Sequence, residues 1–351
     1  MTDPQFDLFG EPLRHSTIQK SSRVEPPSRA EPEVLAAPTD DLLNALGQAI
    51  PESVHFGTSS WSFPGWAGMV YGGSYSDMQL ARRGLAAYAL HPLLRTVGID
   101  RTFYAPISES VFRGYAKQVR KVAPGFRFLV KSPMLFTGAR LRSDDGRWTD
   151  NEAFLNASLA SAQFVSPATQ GLGDACGPLV FQFPPLGHKF TRAPQQFADA
   201  LAEFLVALPK LSGPAFYAVE LRDPELLTDD YLAALCAGGA THCIAIHARM
   251  PQAVEQARFW REAGRLPLVI RWSLHSGLKY EQAKERYAPF NALVDEDPTG
   301  RAQVASLALE ATRARQESFI IANNKAEGSA PLTIRKLADL VRDYGETIVM
   351  L

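Results

Sequence analysis

The sequence predicts an α/β protein, a single (β/α)8 TIM-type barrel behind an N-terminal tail. Three observations carry that expectation. Beyond residue 53, short apolar, β-rich runs recur eight times. Sequence of helical period follows each run. The array occupies roughly 300 residues, which suits a barrel of eight strand–helix pairs. Such pairs in one segment argue for parallel strands joined by right-handed crossovers. A doubly wound open sheet is the structural rival.

The expected strands are residues 54–59, 95–100, 126–132, 178–184, 216–222, 242–248, 267–273 and 318–324. Helices are expected over 80–90, 109–122 and 335–345, among others. In the second of these, Val111, Tyr115 and Val119 step by four along one face. The barrel is expected over residues 53–351, and residues 1–52 read as a flexible tail. Within it, residues 10–41 are rich in Pro, Ser, Glu and Arg, with breakers at Pro26, Pro27, Pro32 and Pro38. Such a segment cannot bury enough apolar surface to offset its chain entropy. A short helix is expected at its end. Thr39 or Asp40 would cap it, and Leu42, Leu43, Leu46 and Ile50 would share one side. Pro51 would end it.

Composition narrows the function classes. The chain has 351 residues and 46% hydrophobic content, enough for a large core. A formal net charge of −1 gives no global pull toward DNA or a membrane, though a local basic patch is allowed. Cys176, Cys236 and Cys243 fit neither a disulfide framework nor a zinc site. A reducing cytoplasm is the natural setting. The N-terminus lacks the basic start and apolar run of a signal peptide. No apolar run approaches the length of a membrane span.

Barrel active sites lie where the strands end, at their C-terminal face. Nearly every expected strand ends in polar residues. The ends supply Ser59 with Trp61, then Asp100, Arg101 and Tyr104, then Lys131 and Gln182. They go on to Glu220 with Arg222, His247, Arg271 with Trp272, and Asn323 with Asn324. Glu220, Asp100 and His247 are the candidate catalytic residues, and the others are candidate ligand contacts. Two apart on a strand, Glu220 and Arg222 face the same side. They read as a general base beside an anion-binding fork, or as a salt bridge that fixes the barrel end. Glu220, His247 and Asp100 are also types that hold divalent metals, but no HxxxH or paired-carboxylate spacing accompanies them, and no metal is assigned. Trp61 and Trp272 are candidate stacking surfaces for a sugar or base, whereas Trp66 reads as loop packing. The long stretch 132–150 carries Arg140, Arg142, Arg147 and Trp148. It suits a phosphate or a nucleic-acid strand, or else a solvated loop balanced by Asp144, Asp145 and Asp150. There is no GxSxG elbow and no Walker loop.

Several stretches resemble one family. They are GTSSWSFPGW (57–66), DRTFYAPIS (100–108), FRFLVKSP (126–133), GPLVFQFPP (177–185), YAVELR (217–222) and NNKAEGSAP (323–331). In this order they resemble the YecE-like family, known as domain of unknown function 72, over most of the chain from residue 54. The resemblance implies a (β/α)8 barrel with no established reaction. A loose association with sugar isomerases rests on fold, and fold does not fix function. The family's second strand commonly reads valine–glutamate–hydrophobic–asparagine before threonine–phenylalanine–tyrosine. Here Gly98 stands for the glutamate and Asp100 for the asparagine. The tail and residues 274–301 look peculiar to a subgroup.

Near the start stand Gln5, Phe6, Asp7, Leu8 and Phe9. This stretch resembles the pentapeptide by which many bacterial proteins bind the DNA polymerase sliding clamp, with Phe6 in place of leucine. A flexible tether presenting small apolar anchors suits such a cleft. Docking on the protein's own barrel, or chance, are the other readings. The expected function is therefore an enzyme binding a phosphorylated, sugar or nucleic-acid-derived ligand, brought by its tail to the clamp. A non-catalytic DNA-repair module and a sugar enzyme with an irrelevant tail are the alternatives. The cofactor is unknown.

Overall fold

The computed structural model describes residues 33–142, 146–264, 266–275 and 278–349. The QFDLF stretch lies outside the described residues, as does most of the expected tail. The strands are β1 (Val54–Thr58), β2 (Thr96–Ile99), β3 (Arg127–Lys131), β4 (Arg140–Arg142), β5 (Trp148–Asp150), β6 (Cys176–Gln182), β7 (Phe216–Glu220), β8 (Thr241–Ile246), β9 (Leu268–Trp272) and β10 (Ser318–Ala322). Eight of them close a parallel barrel in the order β1-β10-β9-β8-β7-β6-β3-β2. Strand β1 bonds both β2 and β10, so the sheet has no edge. This closure rules out the doubly wound alternative, and all eight expected strands are present. The other two, β4 and β5, form an antiparallel hairpin beyond β3.

Helices wall the barrel. Asp77–Ala89 starts in a capping box: Ser76 Oγ accepts from Gln79 N at 3.3 Å, and Ser76 N donates to Gln79 Oε1 at 2.9 Å. Glu109–Arg120 buries Tyr115 and Val119 on the face that the periodicity marked. Ahead of β1, the expected short helix runs Asp41–Ala49, and Asp40 Oδ1 accepts from Leu43 N at 2.7 Å. Leu46 and Ile50 are buried, but Leu42 stands 76% exposed, against expectation. The helix is tied beneath the barrel by Arg95, which donates to Gly47 O and Pro51 O at 2.7 Å each. No helix among the described residues is long and apolar enough to cross a membrane.

Strand parity decides what lies inside the barrel, because alternate residues of a strand point to opposite faces. At the N-terminal end, His55 stacks on Phe319 at 4.6 Å, and Phe216 packs on the same ring at 5.7 Å. Above them Leu129, Val180, Ala218, Cys243, Val269 and Ile321 form one enclosed apolar cluster. Gly57 and Gly98 belong to the same course. A Cβ on Gly57 would lie 2.0 Å from Thr96 O, and one on Gly98 would lie 3.1 Å from Ser59 O. These glycines let β1 and β2 come together. The opposite parity, including Phe56, Phe128, Phe181, Ile270 and Trp272, packs outward beneath the helices in the main core.

Candidate functional site

Two residues beyond each member of the middle course stands the residue that rims the interior at the C-terminal end. In chain order these are Ser59, Asp100, Lys131, Gln182, Glu220, Ala245, Arg271 and Asn323. Only Ala245 is apolar. Just past the ends of β7 and β8, Arg222 pairs with Glu220 and His247 lies beside both. The strand pattern thus delivers a charged layer to the end where barrel sites form.

Arg271 is the centre of that layer. Its Nη1 donates to Glu220 Oε2 at 2.6 Å, and its Nη2 donates to Asp100 Oδ2 at 2.7 Å. Arg222 pairs with the other Glu220 oxygen and donates to Ser273 Oγ at 3.0 Å. Glu220 is fully buried, and burial raises its affinity for a proton. Arg222, Arg271 and Lys131 overcome that effect and hold its pKa down to about 2. A carboxylate held by two guanidinium groups is a weak proton acceptor. Both Glu220 oxygens face guanidinium groups, and the carboxylate links Arg222 to Arg271. Asp100 holds Arg271 with one oxygen, while its Oδ1 is buried with no hydrogen-bond partner among the described residues. His247 is half-buried beside Arg222 and Glu220. Burial, then Arg222, lowers its pKa to about 4, so its imidazole is neutral at pH 7. The two carboxylates thus face guanidinium groups. Among the described residues no three His, Cys, Asp or Glu side chains gather as metal ligands would.

Lys131 differs from the arginines. Its Nζ lies 3.4 Å from the centre of the Phe103 ring. Among the described residues the carboxylates of the layer pair with Arg222 and Arg271, and Lys131 forms no ion pair. Burial is the main cause that lowers its pKa to about 7. Arg271 and Arg222 push it the same way, and Asp100 and Glu220 oppose them. Thr102 Oγ1 fixes the strand end by donating to Lys131 O at 2.5 Å.

Other expected contacts are placed as follows. Asn323 Nδ2 donates to Ser59 Oγ at 2.8 Å, which joins β10 to β1 at the mouth. Gln182 is buried in the same layer. Tyr104 stands at the rim, 53% exposed. Arg101 is exposed and donates to Tyr115 OH at 3.0 Å. Three expected contacts are placed away from the interior of the mouth. Trp272 is 1% exposed and packs outward, because it follows the inward Arg271. Trp61 is 5% exposed, donates from Nε1 to Leu80 O at 3.1 Å and meets Tyr115 edge-on. Asn324 Oδ1 accepts from Trp66 Nε1 at 3.2 Å and Ala330 N at 2.8 Å, so it braces a loop and a helix start. None of the three presents its recognition surface to the mouth.

Phe103 and Ser273 were not among the expected residues, and Lys325 was expected only as a polar end of the eighth strand. Phe103 carries the Lys131 amine, Ser273 holds Arg222, and Lys325 Nζ lies 4.0 Å over the Tyr280 ring. For Phe103 the signal was its place in the DRTFYAPIS stretch. The hairpin of β4 and β5 leaves Trp148 55% exposed, while Arg140 Nη2 donates to Trp148 O at 2.7 Å and Arg142 Nε to Gly146 O at 3.2 Å. A depression of about 760 Å³ also opens at the opposite end of the barrel, beside His55, His91 and Glu317. Its size does not make it the site, because the charged layer lies at the other end.

Fold and mouth together define a TIM-type barrel with a charged C-terminal face. The chain belongs to the DUF72 family, whose profile, "Protein of unknown function DUF72", matches residues 55–349. A DUF72 family protein from Enterococcus faecalis V583 is similar at 16% identity and a TM-score of 0.57, over 82% of this chain and 95% of that one. A DUF72 family protein from Thermotoga maritima MSB8 is similar at 16% identity and a TM-score of 0.51, over 82% of this chain and 98% of that one. At such identity the likeness concerns the fold. No curated protein matches the chain.

Proposed function

We propose that the barrel is an enzyme whose mouth binds a small anionic ligand, phosphorylated and derived from a sugar or a nucleotide. The observation that carries this reading is the charge balance of the inner layer. Among the described residues of the layer, three cations, Lys131, Arg222 and Arg271, stand beside two carboxylates, Asp100 and Glu220, and Lys131 forms no ion pair. An anion entering the mouth would supply its partner. Guanidinium forks suit phosphate and carboxylate groups, and a water-poor site strengthens the attraction. The barrel from residue 53 is the catalytic unit in this reading, and a cytoplasmic setting fits it.

The test is thermal denaturation of the full chain with inorganic phosphate, sugar phosphates and nucleotides. Anions that bind the mouth raise the midpoint by mass action, and Arg222→Ala abolishes the rise. Equal rises in the wild type and in that variant would defeat the proposal.

The resemblance of Gln5, Phe6, Asp7, Leu8 and Phe9 to a clamp-binding pentapeptide is the basis of a second proposal, recruitment to the sliding clamp. A labelled peptide of residues 1–14 should bind the host's clamp with micromolar affinity, and its Leu8→Ala, Phe9→Ala form should not. Binding by the peptide but no turnover of any ligand by the barrel would favour a non-catalytic DNA-repair module.

A further inference from the structure

We infer that Lys131 is an amine nucleophile that forms an imine with a carbonyl substrate carrying a phosphate or carboxylate group. This rests on the anionic-ligand reading of the same mouth and names the reactive group. Lys131 ends β3 on the inner face, at the end of the barrel where substrates enter. Glu220 is committed to Arg271 and Arg222 through both oxygens, and Asp100 holds Arg271 through one oxygen while its charge still favours the Lys131 ammonium. The Phe103 ring, 3.4 Å away, gives the amine an apolar floor rather than a counter-ion. Thr102 pins the backbone beneath it, its single hydroxyl proton lying within reach of both Ile99 O and Lys131 O. The backbone beneath the amine is therefore fixed, and among the described residues its nitrogen forms no ion pair and contacts the Phe103 ring face. The charged groups that face it are Asp100, Arg271, Glu220 and Arg222, and burial outweighs them to leave its pKa at about 7. Near neutral pH a large share of the amine carries a lone pair, the form a nucleophile needs. Arg222, whose side chain keeps 11% of its exposure, is placed to hold the substrate's anionic group.

The step conserves atoms and electrons. The amine lone pair forms the C–N bond while the carbonyl π pair moves to oxygen. One nitrogen proton passes to that oxygen and gives a carbinolamine. The nitrogen pair then expels hydroxide, which takes the remaining nitrogen proton and leaves as water. A C=N bond replaces the C=O bond with no oxidant or reductant.

The test is reductive trapping on the full chain at pH 7. The protein is incubated with dihydroxyacetone phosphate, pyruvate or uncharged dihydroxyacetone, reduced with sodium borohydride, and mapped by peptide mass spectrometry. The two charged probes distinguish a phosphate from a carboxylate as the recognised anion. At least one should label Lys131 about tenfold more than any other lysine, because an ordinary lysine is almost wholly protonated at that pH. Dihydroxyacetone should label it less, and Lys131→Met should lose the label. Labels spread over surface lysines, or placed on Lys325, with Lys131 untouched would overturn the inference. A parallel thermal denaturation with inorganic phosphate separates the two claims. A phosphate-dependent rise with Lys131 unlabelled retains anion binding and sinks the imine. Neither rise nor label sinks both.

Discussion

The middle course of the barrel interior and the mouth layer above it come from the same strands, two residues apart. Leu129, Val180, Ala218, Cys243, Val269 and Ile321 fill the middle with apolar side chains. Lys131, Gln182, Glu220, Arg271 and Asn323 follow on the same strands at the mouth, joined by Asp100 and Ser59. The middle course gains stability from burial of apolar surface. The mouth removes charges from water and recovers only part of that cost by pairing them. Seven polar residues, five of them on the strands that supply the apolar middle course, are explained by chemistry at that end more readily than by stability.

Four substitutions or conditions would break or sharpen the contrast. The largest effect is expected from Glu220→Ala, which strips the carboxylate from both Arg271 and Arg222. Removing one side of a buried pair costs ~3–5 kcal/mol, measurable by urea denaturation. A loss no larger than that of a surface change would mean the mouth network is not closed as described. Leu129→Ala should cost ~3 kcal/mol by opening a cavity. Unlike Glu220→Ala, it should leave anion binding by the folded protein unchanged, as phosphate-dependent thermal shifts would show.

Acid should weaken the fold at both ends. Burial lowers His247 at the mouth, and His91 near the other end, to a pKa of about 4 from an ordinary 6.5. His242 is lowered likewise, locked between Tyr231 OH at 2.8 Å and Gln256 Oε1 at 3.3 Å. Between those values the unfolded chain binds more protons than the folded one. Stability from these groups is therefore present above about pH 6.5 and is lost as pH falls through 4. Glu220, lowered from 4.5 to about 2, adds a further loss below pH 4.5. His247→Gln should flatten the upper part of the profile, as denaturation midpoints from pH 7 to 4 would register. The smallest effect is expected at the hairpin. Trp148→Ala should change stability by less than ~0.5 kcal/mol because the ring is exposed, so any loss of nucleic-acid binding in a mobility-shift assay would reflect a lost contact.

The strands were legible because each is a short apolar run with a polar end, and closure followed from their number. Most of the mouth was legible for the same reason. The errors came from not applying parity at the strand ends. Arg271 and Trp272 are neighbours, so only one of them can face the interior, and the same holds for Asn323 and Asn324. Trp61 lies beyond β1, where the chain has turned and periodicity no longer applies. The role of Phe103 was not legible, since nothing local ties its ring to an amine twenty-eight residues later, on the next strand. The state of Glu220 also required the fold, because Arg271 reaches it from a distant strand.

The central claim is that the mouth holds an amine with no ion pair among the described residues, ready for an anion. The most direct measurement is an NMR titration of the Lys131 ε-carbon in the full chain, assigned with Lys131→Met, with and without inorganic phosphate. The account predicts a midpoint near 7 that rises when phosphate binds, because the anion stabilises the ammonium form. A midpoint near the ordinary 10.5, unmoved by phosphate, would contradict it.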